Sequence, residues 1–255
     1  MAGSCQLAWM AGLENISLNE YNRGMNDTRS LLARGLAALQ LELGDEATDR
    51  LLRYIGQIET WNPSYGLVNA SGDELLIKHI LDSLAPWRLL QKTLEECDRA
   101  PALTAEGRKA TLSDIGTGAG LPGIPLSILF GERKLRLIER MGKRISFLES
   151  QKAMLRLDNV EIVESELEKA PGPLDVVVFR AFRPFSELKL FKTLWKNLTP
   201  GGALFAYKGK LLNAKMEIGE LATDPLLAGP FSKAEIHPLW IPFLDEERCV
   251  VIVRK

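Results

Sequence analysis

The sequence predicts an α/β protein: a mostly parallel sheet entered through a run of N-terminal helices. Three observations carry that expectation. From about residue 111, short apolar runs alternate with helix-length amphipathic stretches, as in a parallel sheet covered on both faces. One run, Leu174–Phe179, is almost wholly apolar between Pro173 and Arg180, which suits a central strand buried on both sides. Four glycines lie within Gly116–Gly123, where the first strand of that series should turn into a helix.

The elements follow in chain order. Residues 1–24 have no clear period and are expected to be an extension. A helix is expected from Met25, capped by Asp27 or Thr28, with Leu32, Leu36, Leu39 and Leu43 on one face. A second covers about Asp45 to Thr60, with Leu51, Ile55 and Ile58 inward, and Trp61-Asn62-Pro63 should break it. A third stretch covers about Gly72 to Leu90, interrupted at Pro86. Together residues 25–90 form an N-terminal helical section. Residues 91–110, charged and interrupted by Pro101, read as a linker. The remainder, 111–255, is the α/β domain. Its expected strands are Thr111–Gly116, Leu135–Arg140, Val160–Glu164, Leu174–Phe179, Ala203–Lys208, Ala234–Ile241 and Arg248–Arg254. Helices are expected over Lys143–Leu157 and Phe185–Leu198, and a turn at Pro200-Gly201-Gly202. The last two strands are joined by the acidic turn Asp245-Glu246-Glu247. That connection has no room for a crossover helix, so the closing pair must be antiparallel.

Composition bounds the function. Hydrophobic residues make up 46% and charged residues 25%, an ordinary globular balance. No apolar run approaches the ~20 residues of a spanning helix, and the N-terminus shows no secretory pattern. The three cysteines, Cys5, Cys97 and Cys249, are scattered and fit neither a disulfide framework nor a zinc spacing. A reducing, cytoplasmic compartment is expected. The net charge of −1 hides an asymmetry. Segments 131–156 and 180–215 carry net +5 and +7, while 157–179 carries −5. A nearly neutral protein can therefore still present a basic face.

The glycine segment, Asp114-Ile115-Gly116-Thr117-Gly118-Ala119-Gly120-Leu121-Pro122-Gly123, is the strongest chemical signal. Glycines let a backbone turn sharply and approach a ligand with no Cβ in the way, and a following helix offers an N-terminus. Two cofactor classes use such a turn. Gly118 to Gly123 satisfies the dinucleotide pattern G-x-G-x-x-G. Asp114 to Gly120 satisfies the acidic-x-G-x-G-x-G pattern of S-adenosylmethionine enzymes. The strand should end near Asp114–Ile115, which makes Gly116 the first turn glycine and favours the second register. Glu139, at the end of the next strand, can accept both hydroxyl protons of an adenosine ribose. A nicotinamide enzyme would need a further catalytic domain, whereas here an antiparallel pair closes the sheet. That closing pair marks the methyltransferase version of the fold, so the expectation is a Rossmann-like class I S-adenosylmethionine-dependent methyltransferase.

On these residues the sequence resembles the RsmG (GidB) family, bacterial guanine-N7 methyltransferases of 16S ribosomal RNA. The resemblance covers about residues 28 to 255. It rests on Asp114 through Leu126, with further agreement at Trp61-Asn62, Leu67 and Asn69; at His79 through Leu84; at Gly142-Lys143-Arg144 with Phe147-Leu148; at Arg180-Ala181-Phe182; and at Tyr207-Lys208-Gly209. It implies cofactor contacts at Gly116, Leu121, Leu167, Glu168 and Arg180, beside Asp114, Gly118, Gly120 and Glu139 of the loop reading. It implies that Asp82 and Ser83 brace the N-terminal helices against the pocket. It also implies methylation of one guanine in the 530 loop, on the RNA or the small-subunit particle. Two positions depart from the family: Glu166 replaces its usual arginine and Phe179 a frequent serine.

No general base is evident, and the chemistry needs none. Guanine N7 carries an in-plane lone pair and no proton at neutral pH. His79 and His237 are expected to be structural, and Trp61 and Trp240 to be core or interface residues. No metal spacing and no Ser-His-Asp set is present. Parallel strands share one C-terminal edge, so Lys143 and Arg144 after the second strand, Arg183 after the fourth, and Lys208 and Lys210 after the fifth should converge there as an RNA-binding face. A monomer is expected. Two alternatives stand beside the RNA methyltransferase: a methyltransferase for a small-molecule or protein acceptor, and a non-catalytic RNA-binding assembly factor.

Overall fold

The computed structural model describes residues 18–166, 169–170, 172–180 and 187–255, with side chains from Asp27 onward. The N-terminal helices are α1 (Leu18–Ala38), α2 (Asp45–Tyr65), α3 (Gly72–Leu75), a π-helical segment (Leu76–Leu81), α4 (Asp82–Leu84), α5 (Trp87–Asp98) and α6 (Pro101–Glu106). Then come β1 (Leu112–Ile115), α7 (Gly123–Leu129), β2 (Leu135–Glu139), α8 (Gly142–Leu155), β3 (Val160–Glu164) and β4 (Leu174–Arg180). The chain closes with α9 (Leu188–Asn197), β5 (Leu198–Lys208), α10 (Leu211–Leu221), α11 (Ala228–Phe231), β6 (Glu235–Leu239) and β7 (Arg248–Arg254).

The seven strands lie in the order β3-β2-β1-β4-β5-β7-β6. β1 through β5 are parallel, and β7 runs antiparallel to both β5 and β6. The expected closing pair is therefore present, and β6 points the same way as the parallel strands. Alternate residues of β4 sort to opposite faces, as the two-residue strand period requires. Val176 and Val178 join one core with the N-terminal helices, α7 and α8, while Val177 and Phe179 join another with α9, α10 and α11. Pro238 sits on β6, which pairs on one side only, where a missing N–H costs no ladder bond. No helix among the described residues is long and apolar enough to cross a membrane.

Several expected boundaries shift. α1 begins at Leu18, so Asp27 and Thr28 lie inside it and do not cap it. α2 runs through Pro63 to Tyr65. The proline removes one helical donor, and the last turn holds because Trp61 packs on Tyr65 and on Phe147 of α8. Asn62 exchanges two hydrogen bonds with the Val68 backbone, and left-handed Gly66 ends the helix. The expected linker 91–110 is instead largely helical, as α5 and α6. Leu90, Thr93, Leu94 and Cys97 form a buried i, i+3, i+4, i+7 stripe beneath its charged face. These helices and the earlier N-terminal ones share one core with the sheet.

Candidate active site

β1 delivers the glycine loop to the C-terminal edge of the sheet. Backbone φ is +65° at Gly116, +62° at Gly118 and +91° at Gly120, values that glycine adopts without strain. Asp114, fully buried, organises the loop from beneath. Its Oδ2 accepts from Thr117 Oγ1 at 2.6 Å and from the Gly123 N–H at 2.8 Å. Burial pushes its carboxyl up to about 7, against the lowering pull of those two hydrogen bonds. Gly123 is required here for space: a Cβ would stand 2.2 Å from Leu137 Cδ2 and 2.7 Å from Asp114 Oδ2. Asp114 therefore holds the loop from within the core, and it takes the first N–H of α7.

Glu139 ends β2 and is 4% exposed. Its Oε2 accepts from the Gly118 N–H at 3.0 Å, and Oε1 accepts from the N–H groups of Arg140 and Met141. Arg144 reaches Oε2 at 3.5 Å. Loop and acid meet here: a carboxylate is fixed beside the second loop glycine. A Cβ on Gly118 would find no neighbour nearer than 3.9 Å, so open space lies in front of this glycine. Gly120 instead packs inward, where a Cβ would fall 2.5 Å from Ile124 Cδ1. Leu121 is also buried.

The N-terminal helices grip this edge. Tyr54, buried on α2, donates to the Ala119 carbonyl at 2.7 Å. Tyr207 of β5 donates to the Ser83 carbonyl at 2.8 Å. Arg180, at the end of β4, donates to the Lys78 carbonyl at 2.9 Å and to Asp82 Oδ2 at 3.0 Å, and its second terminal nitrogen meets His79 Nδ1 at 2.8 Å. Arg248 of β7 approaches the other Asp82 oxygen at 3.4 Å. Burial raises the Asp82 carboxyl even so, the two arginines opposing it. Burial, then Arg180, lowers His79 to about 4. It is thus neutral at pH 7 and accepts from Arg180 through Nδ1. π-helical segments are frequent at functional sites; this one turns the Lys78 carbonyl and the His79 imidazole toward one guanidinium, and Asp82, directly after it, adds the carboxylate. The bracing expected of Asp82 and Ser83 is present, and the structure turns Arg180 toward it.

The contacts of Tyr54, Tyr207, Thr117 and Arg248 were not expected from the sequence, although Thr117 and Tyr207 lie in the segments that carry the resemblance. Tyr54 was legible, since it lies three residues after Leu51 and four before Ile58 on the inward face of α2. Leu167, Glu168 and Arg183 lie outside the described residues. Of the expected RNA-binding cations, Lys143 and Lys210 are exposed and Arg144 half-buried. Lys208 differs. It is 11% exposed and its ammonium is bonded to Glu217 of α10 at 2.6 Å, so it is no free cation. Trp61 is partly buried as expected, whereas Trp240 is 66% exposed and belongs to no core.

A sheet in this order with an antiparallel β7, a glycine turn opening directly from β1, and an acid at the end of β2 bonded to that turn define a class I S-adenosylmethionine-dependent methyltransferase. A family model described as "rRNA small subunit methyltransferase G" (GidB) matches residues 47–229. A protein of Treponema denticola named ribosomal RNA small subunit methyltransferase G is 36% identical over 250 residues, 89% of this chain and 95% of that one. Proteins of the same name from Bordetella avium and Escherichia coli are 32% and 33% identical over 88% and 84% of this chain, each covered to 92%. A solved S-adenosylmethionine-dependent methyltransferase from Aquifex aeolicus superposes with a TM-score of 0.48 at 18% identity, covering 78% of this chain and 97% of that one. The chain belongs to the rRNA small subunit methyltransferase G family.

Proposed function

We propose that this protein transfers the methyl group of S-adenosylmethionine to N7 of a guanine in the 530 loop of 16S ribosomal RNA, on the RNA or the small-subunit particle in the cytoplasm. The observation that carries the reading is Glu139 fixed on Gly118 N–H at the mouth of the glycine loop. Three protein N–H groups orient that carboxylate, and the lone-pair site left on Oε2, which Arg144 approaches only at 3.5 Å, suits a ribose hydroxyl. The open space in front of Gly118 fits the same group. When bound, the cofactor supplies a methyl group already activated by its sulfonium.

What the chain itself must do is bind, orient and exclude water. Glu139 and the loop hold the cofactor's nucleoside end. The Tyr54 and Arg180 contacts lock the N-terminal helices over the loop, so the site keeps one geometry. Guanine N7 needs no deprotonation, and no protein group within the described site stands as a base: His79 is neutral and bound to Arg180. Alignment of two reactants alone supplies up to roughly 7–11 kcal/mol of a barrier. The exposure of Lys143 and Lys210, beside Arg144, supports phosphate contacts that would position the RNA without specifying its sequence.

The test combines binding and modification. Glu139→Gln removes the charge while preserving shape. Losing hydrogen bonds to a charged group should weaken cofactor affinity by about 10- to 150-fold in titration calorimetry. Wild-type protein should install 7-methylguanosine in 16S rRNA from cells lacking the gene. Wild-type protein that binds the cofactor yet methylates no RNA would return the small-molecule or protein acceptor.

A further inference from the structure

The segment between β6 and β7 takes no part in the site described so far, yet it carries two large exposed rings. Trp240 is 66% exposed and Phe243 is 45% exposed. Between them, Ile241 and Pro242 are buried and anchor the segment. The Leu244 N–H donates to the Ile241 carbonyl at 3.2 Å, closing a turn with Pro242 second and Phe243 third. Phe243 has φ of +66°. Proline second and a positive φ third is the type II pattern, whose third position suits glycine or asparagine. A bulky residue there is an outlier. Ile241 already supplies the buried anchor, and the strained Phe243 joins no core: its ring, 45% exposed, meets only the Arg34 guanidinium among the described ring contacts. Strain of this kind clusters where a ligand is met.

The turn is also fastened to the active site. Glu246 bonds Lys78 at 3.1 Å and Arg248 at 2.9 Å, and Arg248 joins Asp82, the partner of Arg180. Because β6 runs parallel to β5, Trp240 leaves the sheet at the edge that carries the glycine loop. From α1, the Arg34 guanidinium lies 5.0 Å from the Phe243 ring centroid.

We propose that Phe243 and Trp240 form a stacking surface for unpaired nucleobases of the RNA substrate, beside the methyl-transfer site; this rests on the rRNA reading above. Every nucleobase has a flat face that an exposed ring can meet, and a guanidinium on the ring adds cation–π attraction. The exposed carboxylates Asp245 and Glu247 repel phosphates from the same turn. The turn therefore meets bases, and the backbone contacts fall to Arg34 and to the lysines across the edge.

The test uses the full-length protein with protein-free 16S rRNA and with intact unmethylated small subunits. Phe243→Gly removes the ring and relieves the positive φ, so its melting temperature should equal or exceed that of wild type. Its rRNA affinity should fall about 5- to 150-fold, the range for losing one stacked base. Trp240→Ala should fall likewise, and Phe243→Tyr should retain wild-type affinity. The salt dependence of binding should keep its slope, since no phosphate contact is lost. Wild-type rRNA affinity in both Phe243→Gly and Trp240→Ala overturns the stacking surface and leaves the rRNA reading intact. Loss confined to intact subunits overturns it in favour of a contact with a ribosomal protein. Wild-type protein that binds neither rRNA nor subunits overturns both readings.

Discussion

Arg180→Lys separates a bracing role from a ligand role. The guanidinium meets three groups of the N-terminal helices: the Lys78 carbonyl, the Asp82 carboxylate and the His79 imidazole. A lysine ammonium is a point charge and can keep Asp82, but it cannot span all three. Two charge-assisted bonds are lost, each worth about 1.5–3 kcal/mol when buried. Arg180 is 14% exposed and water can replace part of each bond, so the expected loss is about 2–4 kcal/mol. At roughly 2–4 °C per kcal/mol for a chain of this size class, the melting temperature should fall by about 5–15 °C. Asp82→Asn on both backgrounds completes a double-mutant cycle, with an expected coupling of about 1–3 kcal/mol. Thermal melts followed by cofactor titration at 25 °C provide the assay. Bracing predicts a lower melting temperature with cofactor affinity changed only a few-fold. An unchanged melting temperature with lost cofactor binding would refute this reasoning and make Arg180 a direct ligand, for instance to the carboxylate at the methionine end.

Two further outcomes follow from the loop. Gly118→Ala should cost about 1–2 kcal/mol for its left-handed φ and abolish cofactor binding, its Cβ entering open space; Gly123→Ala should cost about 1–3 kcal/mol by overpacking against Leu137. Calorimetry and urea melts distinguish the two, and equal cofactor affinities in both variants would count against the assigned ligand side. Asp114 has its folded pKa raised to about 7 from 3.8, so its stabilising contribution is complete below about pH 4 and is lost as pH rises through about 7. Asp114→Asn should remove that loss, so wild type should lose more stability than the variant between pH 5 and pH 8; identical pH profiles would show that Asp114 does not titrate there.

Much of the α/β domain was legible because strand periodicity and chain connectivity constrain each other. Val160–Glu164 and Arg248–Arg254 fall where the sequence puts them, and the short connection between the last two strands leaves only an antiparallel pair. The misses share a cause. α5 hides a one-sided apolar stripe among charges, and α10 buries only Ala214 and Leu221. The ion pair of Lys208 could not be foreseen without α10, because its partner Glu217 stands on that helix. Arg180 illustrates the other limit. Its partners lie about 100 positions away in the chain, on and directly after a π-helical turn that no local pattern announces.

The loop geometry also decides between the two cofactor classes that share its glycine pattern. A dinucleotide pyrophosphate is held by backbone N–H groups and a helix N-terminus. Here those donors are engaged within the protein. Gly116 and Thr117 donate to the Ile138 carbonyl, Gly118 to Glu139, Gly120 and Leu121 to the Thr117 carbonyl, Gly123 to Asp114 and Ile124 to the Gly120 carbonyl. Pro122 has none to give. Of the N–H groups from Gly116 to Ile124, only Ala119 stands outside this set. The mouth of the site therefore offers acceptors, with the Glu139 carboxylate foremost, in place of donors. An anionic bridge would meet repulsion there, whereas ribose hydroxyls find an oriented acceptor and a sulfonium a favourable field. Under the proposed function Asp114 and Glu139 divide the work: the first takes the Gly123 N–H that opens α7, and the second presents a charge that would favour a cationic nucleoside over a pyrophosphate.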